Sequence, residues 1–498
     1  MPFMNIRAKT VMPLNSNLDA RRILLIHPLG GNKQAAASDI ARKANLMPPL
    51  GLASIAAWLE QEGLHADIMD FNADPSSETG LEDYIHRHTP AFVGFSCTTS
   101  AFLDAAGLAT KIKQWSPGIT TVVGGVHVSA LREELLSRYP QFDYGVLGEG
   151  EETLCTLMKG MTEDRTGLIY RENGIVRCGG RREPGIELDR LPFPAYEKLP
   201  GYPERYTLPI FNYPRAPNAS CLSSRGCPYA CSYCDRSVFG ATFRFNSAAY
   251  VYAHMRHMRD RFGIRHLNFY DDQFTLDRNR IMELTRLLIE QPLGMTFNCA
   301  ARPDRVDPEL LGLMKKAGCW MVSLGIETGD PELLARHRRH GDLDKLSTII
   351  RMIKQAGIRV KGLVMIGLPG ETEASIQRSM RYVHALPIDD LNVAKFTPFP
   401  GTPLYADIRS HGSFEEDWDR MDCMHFLFTP NGLSQERLQS LFMQFYKRHF
   451  MRPRILCGYL AMLWKSPDSW RRFLADAGSF LGFARNNRRW DAPPSKPS

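Results

Sequence analysis

Three cysteines, Cys227, Cys231 and Cys234, stand at C-x3-C-x2-C spacing. Thiolates this close together bind a soft metal centre, but three are one short of a closed four-cysteine zinc site. A cubane iron–sulfur cluster held by three cysteines keeps one iron open to a non-protein ligand. Gly226, just ahead of Cys227, lets backbone approach a bulky inorganic group. Tyr233 places an aromatic ring before the last cysteine, where it can pack over a cluster or a ligand on it. Two plainer readings stand beside this. Cys221 lies upstream as a fourth zinc ligand, although no partner C-x2-C pair or H-x3-H follows the triplet. Alternatively, the three cysteines are simply buried and inert.

A metal loop needs a rigid frame. From Ala219 the pattern alternates strand and helix. Strands are expected near 219–223, 266–270, 295–300, 320–324, 360–366 and 392–397, and helices at 247–261, 277–290, 308–317, 330–337 and 342–356. Six such units predict a partial (β/α)6 barrel with its chemistry at the carboxyl ends of the strands. After the second strand come Asp271 and Asp272, paired carboxylates suited to a cationic group. Asp271 or Asp277 reads equally as a helix N-cap. Arg302 follows the third strand and can grip a carboxylate as a fork or sit in a surface ion pair. Glu327, within Gly-Ile-Glu-Thr-Gly, can accept from both hydroxyls of a ribose. Gly367 opens Gly-Leu-Pro-Gly-Glu-Thr, where backbone can approach a ligand and Glu371 can cap the next helix. Pro398 belongs to the rigid loop Thr-Pro-Phe-Pro-Gly-Thr-Pro-Leu.

The first 150 residues alternate in the same way. Arg22–Ile26, Ala66–Met69, Phe92–Ser96, Thr120–Val123 and Tyr144–Leu147 read as strands, with helices after Pro49 and at 78–87, 102–114 and 130–138. This predicts a doubly wound parallel sheet whose ligand sits at the strand ends. Three loops there stand out: Ser96, Thr98 and Thr99 in a hydroxyl-rich turn; Gly124, Gly125, His127 and Ser129; and Gly148, Glu149 and Gly150. Together they suit a large planar or phosphate-bearing ligand, or are ordinary turns of a flavodoxin-like sheet. Residues 151–218, with a hairpin and recurrent prolines, read as a connector.

The cysteine triplet, followed in order by these strand-end motifs, resembles the signature of radical S-adenosylmethionine (SAM) enzymes. The Gly-Gly-x-His-x-Ser and Gly-Glu-Gly-Glu loops resemble the cobalamin-binding domain found ahead of many of them. The resemblance covers roughly residues 20–410. It implies a 4Fe-4S cluster on Cys227, Cys231 and Cys234, which would also be the catalytic residues. It implies SAM contacts at Tyr233, Asp271, Asp272, Arg302, Glu327, Gly367 and Pro398. It also implies cobalamin contacts at Ser96, Thr98, Thr99, Gly124, Gly125, His127, Ser129, Gly148, Glu149 and Gly150. In that family SAM is cleaved to methionine and a 5′-deoxyadenosyl radical, and cobalamin relays a methyl group to carbon or phosphorus. Methyltransferases of hopanoids and phosphonates and the anaerobic Mg-protoporphyrin ester cyclase are the implied kin. Oxidative cyclisation is therefore the alternative chemistry, and a non-enzymatic cobalamin or redox sensor a third reading. A flavodoxin- or ferredoxin-type electron donor is implied. One departure matters: the cobalt-binding D-x-H-x-x-G motif has Leu25 in place of aspartate ahead of His27 and Gly30. A ligating histidine needs its second nitrogen held, so cobalamin without a histidine on cobalt is expected.

At 498 residues, 44% hydrophobic and 23% charged, the chain has ordinary globular composition. Its net charge of +7 is too mild to imply nucleic acid. No signal peptide or stretch of ~20 apolar residues is evident. Scattered cysteines fit a reducing cytoplasm. The expected organisation is a lead-in (1–20), a cobalamin-binding domain (21–150), a linker (151–218), a radical SAM core (219–410), a C-terminal helical region (411–491) and a disordered tail (492–498). Leu433–Phe450 should be helical, with Leu438, Leu441, Phe442, Phe445 and Tyr446 on one face. The apolar run 455–464 is flanked by Lys447, Arg448, Arg452, Arg454, Lys465, Arg471, Arg472, Arg485, Arg488 and Arg489. It is expected to cap the barrel mouth and help shape a pocket for a small-molecule or lipid substrate. Association with an anionic membrane surface is the alternative.

Overall fold

The computed structural model describes residues 18–30, 46–161, 163–183, 185–338 and 341–475. Most of the lead-in, Arg485, Arg488, Arg489 and the expected disordered tail lie outside the described residues.

The N-terminal half is built on a seven-stranded sheet: β1 (Asp19–His27), β2 (His65–Asp70), β3 (Pro90–Ser96), β4 (Thr120–Gly124), β5 (Tyr144–Val146), β6 (Leu168–Glu172) and β7 (Ile175–Cys178). Their order is β2-β1-β3-β4-β5-β6-β7. The first five strands pair in parallel. On β1, Ile23 and Leu25 enter one apolar core while Leu24 and Ile26 enter another. Burial on both faces is what makes this strand read as a continuous apolar run. Helices α1 (Leu50–Gln61), α2 (Leu81–His88) and α3 (Phe102–Trp115) follow the first three strands.

The expected helix at 130–138 is instead two short ones, α4 (Val126–Leu131) and α5 (Glu133–Arg138). The first starts directly after Gly125, whose φ of +105° and close approach to Cys97 leave no room for a Cβ. Arg132, at φ +52°, breaks the run between them. Nor does the sheet stop near residue 150. After α6 (Glu151–Met158), the hairpin expected in the connector adds β6 and β7 antiparallel to the edge.

The second half contains a six-stranded parallel sheet: β8 (Asn218–Cys221), β9 (His266–Phe269), β10 (Thr296–Ala301), β11 (Cys319–Glu327), β12 (Arg359–Ile366) and β13 (Asp390–Lys395). Each strand lies beside its sequence neighbour. Helices α7 (Ala248–Phe262), α8 (Arg278–Glu290), α9 (Pro308–Lys316), α10 (Pro331–His337), α11 (Leu343–Gln355) and α12 (Glu373–Ala385) provide the crossovers. Ser247, Asp277, Asp307, Asp330, Asp342 and Thr372 cap them with side-chain oxygens on backbone N–H groups. This is the expected open (β/α)6 half-barrel.

Two expectations for the C-terminal region are corrected. Strands do not end at 411: β14 (Gly412–Phe414) and β15 (Phe428–Pro430) form an antiparallel hairpin. From it Trp418 packs on His127 and Phe102 of the N-terminal half. Helix α13 (Gln435–Phe450) starts at mouth level, where Arg437 pairs with Glu373 and Phe442 meets Lys395 at the end of β13, but α14 (Pro453–Lys465) and α15 (Pro467–Ala475) do not cap the mouth. On α13, Leu438, Leu441 and Phe445 are fully buried, as the helical spacing predicts. Beyond α13, four anchors sit where the barrel strands begin. The Tyr459 hydroxyl donates to Asp390, the first residue of β13, at 3.2 Å. Arg359, the first residue of β12, meets the Met462 sulfur. Ser466 donates to the Tyr213 carbonyl at 2.5 Å, and the Ala216 N–H donates to Asp468 at 3.0 Å. Helices α14 and α15 thus close the floor. Among the described residues no helix is long and apolar enough to cross a membrane.

Candidate functional site

The cysteine loop leaves β8 and is held on every side. Asp271, at the end of β9, is almost fully buried and accepts from the Ser223 N–H (2.6 Å), the Ser223 hydroxyl (2.6 Å) and the Ser224 N–H (2.8 Å). Ser224 and Arg225 pair antiparallel with Phe245 and Arg244, closing the loop. Gly226 sits at φ +87°, and a Cβ there would fall onto the Thr242 carbonyl, so the glycine is required by sterics. Ser232 and His337 are joined twice. The Ser232 N–H donates to the His337 carbonyl at 3.0 Å, and the hydroxyl lies 2.8 Å from Nδ1. Nε2 of His337 is 2.8 Å from the Pro369 carbonyl, which can only accept, so Nε2 carries the proton and Nδ1 accepts from Ser232. Burial lowers the His337 pKa, favouring this neutral form.

All three cysteines are partly accessible, whereas Cys221 is buried at the end of β8. Burial, then the charges of Asp272 and the neighbouring cysteines, pushes Cys234 up to about 12, and burial likewise raises Cys227. A thiolate here needs a cationic partner, and cluster iron has that character. Among the described residues no three His, Cys, Asp or Glu side chains close around a single-ion site.

Around this loop the structure gathers most of the expected strand-end groups. Asp272 is solvent-reachable and acts electrostatically on Cys227 and Cys234. The protein mass around it and then Asp271 raise its pKa. Asp271 differs from expectation: three donors occupy its carboxylate, so it braces the loop, while Asp277 is the N-cap. Arg302 is buried, not a surface ion-pair residue. It lies 3.6 Å from the centroid of the Tyr229 ring and donates from Nε to Asp304 at 2.9 Å.

Glu327 ends β11 at φ +63°, a conformation uncommon for a non-glycine residue and one that marks functional positions. Burial raises its pKa, opposed by Arg338 at 3.8 Å and by the Tyr233 hydroxyl. Tyr233 therefore bridges the cysteine loop to Glu327. Gly367, at φ +96°, and buried Pro398 stand at the ends of β12 and β13. The loop holding Pro398 reaches the cysteines through the Leu404 N–H on the Ser232 carbonyl (3.3 Å).

Glu371 does not cap the next helix; Thr372 does. Its buried carboxyl accepts from the Gly367 N–H (2.5 Å) and the Leu368 N–H (3.2 Å), fixing the loop shape. Burial, eased by those two N–H groups and reinforced by Asp330, pushes its pKa up to about 8 from 4.5. The folded state then keeps a proton that the unfolded chain releases, so this group's contribution to stability weakens as pH rises from about 4.5 to about 8. Urea titrations across that window are expected to show wild type losing stability relative to Glu371→Gln as pH rises. Parallel pH profiles for the two proteins would refute this.

A cavity of about 380 Å³ lies at the strand ends of the N-terminal sheet. Ser96, Thr98, Gly124, Gly125, Gly148, Glu149 and Gly150 line it as expected, together with Leu25, His27 and Gly94. Glycines at 94, 124 and 125 let a ligand approach the strand ends closely. Three expected contacts are not in its lining. Thr99 is buried; His127 is fully buried beneath Phe102 and Trp418, with its pKa lowered by burial to about 4. Ser129 accepts from the Gly148 N–H at 3.0 Å and shapes the loop. The carboxylate missing from the sequence motif around His27 is present in space. Asp70, at the end of β2, lies 2.8 Å from His27 Nδ1, so the lack of a partner no longer argues against His27 as a ligand.

The cavity and the cysteine loop share a wall. Leu222, Ser224 and Arg225 before the cysteines, and Val238 and Phe239 after them, also line the cavity. Arg225 donates to Glu149 (2.5 Å), Glu151 (2.7 Å) and Ser54 (3.2 Å), and Arg244 also bonds Glu149. Arg225, Arg338, Tyr229 and His337 were missed by sequence reasoning. Only their approach to motif residues in space marks them.

Fold and site thus define a two-part protein, in which a Rossmann-like ligand domain abuts a half-barrel bearing a three-cysteine loop at its mouth. Residues 39–158 match the B12 binding domain and residues 222–383 the Radical SAM superfamily. The chain thus joins a B12 binding domain to a radical SAM domain. It is 27% identical over 416 residues to an uncharacterized methyltransferase, PH0819, of Pyrococcus horikoshii, covering 82% of this chain and 89% of that one. It is 26% identical over 451 residues to the anaerobic magnesium-protoporphyrin IX monomethyl ester cyclase of Rubrivivax gelatinosus, covering 87% and 78%. In fold it is similar to the radical S-adenosylmethionine methyltransferase TsrM from Kitasatospora setae, solved with cobalamin and a 4Fe-4S cluster bound. That match has a TM-score of 0.66 at 19% identity and covers 87% of this chain and 89% of that one.

Proposed function

We propose that this protein is a cobalamin-dependent methyltransferase that cleaves SAM with a 4Fe-4S cluster and methylates an unactivated carbon, or phosphorus, of a small-molecule or lipid substrate. The observation that carries it is the shared wall: a glycine-floored cavity and a three-cysteine loop with an open side, joined through Leu222–Arg225. Cys227, Cys231 and Cys234 would hold the cluster, and Asp272, Arg302, Glu327, Gly367, Pro398 and Tyr233 would bind SAM. Ser96, Thr98, Gly124, Gly125, Gly148 and Gly150 would seat cobalamin. When bound, these groups supply a one-electron reductant and a methyl carrier, and the protein sets distances and excludes water. A flavodoxin- or ferredoxin-type donor would provide the electron.

Each protein group has a defined task. The Asp272 carboxylate can receive the SAM ammonium group. Arg302, held flat by Tyr229, can present guanidinium N–H donors to the SAM carboxylate. Glu327, positioned by Arg338 and Tyr233, can accept from the ribose hydroxyls. Because α14 and α15 lie at the barrel floor, their basic composition carries no information about the substrate.

Anaerobic reconstitution with iron, sulfide and hydroxocobalamin is expected to give both cofactor spectra. The reduced enzyme should form 5′-deoxyadenosine, with S-adenosylhomocysteine and product carrying label from methyl-labelled SAM. The similarity to the protoporphyrin ester cyclase supports a second reading, oxidative cyclisation. Product formed without label would select it, and failure to cleave SAM would overturn both.

A further inference from the structure

Helix α14 presents Leu456, Leu460, Leu463 and Trp464 to solvent, exposed by 47%, 55%, 42% and 81%. Their spacing puts them on one face, while Ile455 and Met462 on the other are buried against the barrel floor. An exposed contiguous apolar face of this kind marks an interaction surface. Exposed Arg454, Lys465 and Arg471 border it, with Lys447 and Arg448 at the end of α13. Between Lys447 and Ala475, Asp468 is the sole acidic residue, and it is engaged by the Ala216 N–H and by Arg471. At 13 residues, α14 is about 20 Å long and cannot span a bilayer. An apolar face with a basic rim and an exposed tryptophan has the chemistry of a helix lying in the headgroup layer.

We propose that α14 and α15 form a peripheral docking surface for an anionic lipid bilayer, with Leu456, Leu460, Leu463 and Trp464 entering the headgroup–acyl boundary. Charge selects this occupant. A second copy would set one basic rim against another. Residues 476–498 carry Arg485, Arg488, Arg489 and Lys496 against Asp476 and Asp491, so they add to the positive charge and do not neutralise it. Anionic headgroups neutralise it. Since these helices lie under the strand starts, a docked protein would turn its cysteine loop away from the bilayer. The surface is independent of the chemistry proposed above.

The test is flotation of the full-length protein with vesicles of phosphatidylcholine alone or with about one-third phosphatidylglycerol. Binding at least tenfold tighter to the anionic vesicles, and weakened by high salt, is expected. The exposed double variant Leu460→Gln/Trp464→Gln should lose at least tenfold in binding while keeping the wild-type melting temperature. Absence of vesicle binding, equal binding to both compositions, or wild-type binding by the double variant overturns the proposal. So does self-association abolished by the same variant without vesicle binding, which would identify a second copy as the occupant.

Discussion

Alanine at Cys227, Cys231 or Cys234 is expected to abolish the four-iron signal after anaerobic reconstitution and to reduce SAM cleavage to background. Cys221→Ala should keep both. The contrast rests on position. Cys221 ends a barrel strand inside the core, and the other three stand on a partly accessible loop in each other's electrostatic field. Each ligand lost should matter alone, because a three-cysteine site has no spare thiolate. A full four-iron cluster in all three variants would sink the assignment. A cluster lost in Cys221→Ala would instead make the site a closed one, with no iron free for SAM.

The second large effect is expected at Arg225. Burial by itself would raise the Glu151 carboxyl, but Arg225 reverses this and holds it below its ordinary value. In turn, the carboxylates keep Arg225 charged against its own burial. Arg225→Met leaves Glu151 charged and buried with only Ser54 as a side-chain donor. Breaking a buried pair in this way costs about 3–5 kcal/mol. Chemical denaturation should show that loss, and Arg225→Met/Glu151→Gln should recover part of it by removing the stranded charge. Cobalamin retention should fall with the single variant, since Glu149 and Arg225 both line the cavity. A single variant within about 1 kcal/mol of wild type would show that the network is too hydrated to matter.

Much of this site was legible because strand ends punctuate a (β/α) sequence. Once the alternation is read, Asp272, Arg302, Glu327 and Gly367 fall at one end of the barrel with no further information. Pairing across the chain was not legible. His27 lacks an aspartate two residues earlier, yet Asp70 on the neighbouring strand supplies the carboxylate. Asp271 and Glu371 looked like ligand and cap, but both serve backbone N–H groups of adjacent loops. Glu149 read as a cofactor-loop residue and proves to be half of an interdomain ion pair. Of the C-terminal helices expected at the mouth, α13 reaches it, while α14 and α15 lie at the opposite end of the barrel. Their apolar periodicity shows that they pack, and nothing in it distinguishes floor from mouth.

The wall common to cavity and cysteine loop sets a limit on diffusion. Arg225 lines the cavity and stands two residues before Cys227, a span of at most about 7 Å along the chain. On the proposed assignment, the cavity residues and the cysteine loop would hold the two cofactors on either side of this short segment, and the chemistry each supplies would be needed only across it. Two half-reactions held so close would have the high effective concentration of an intramolecular process. Nothing reactive has to be released, recaptured or protected in solution between them.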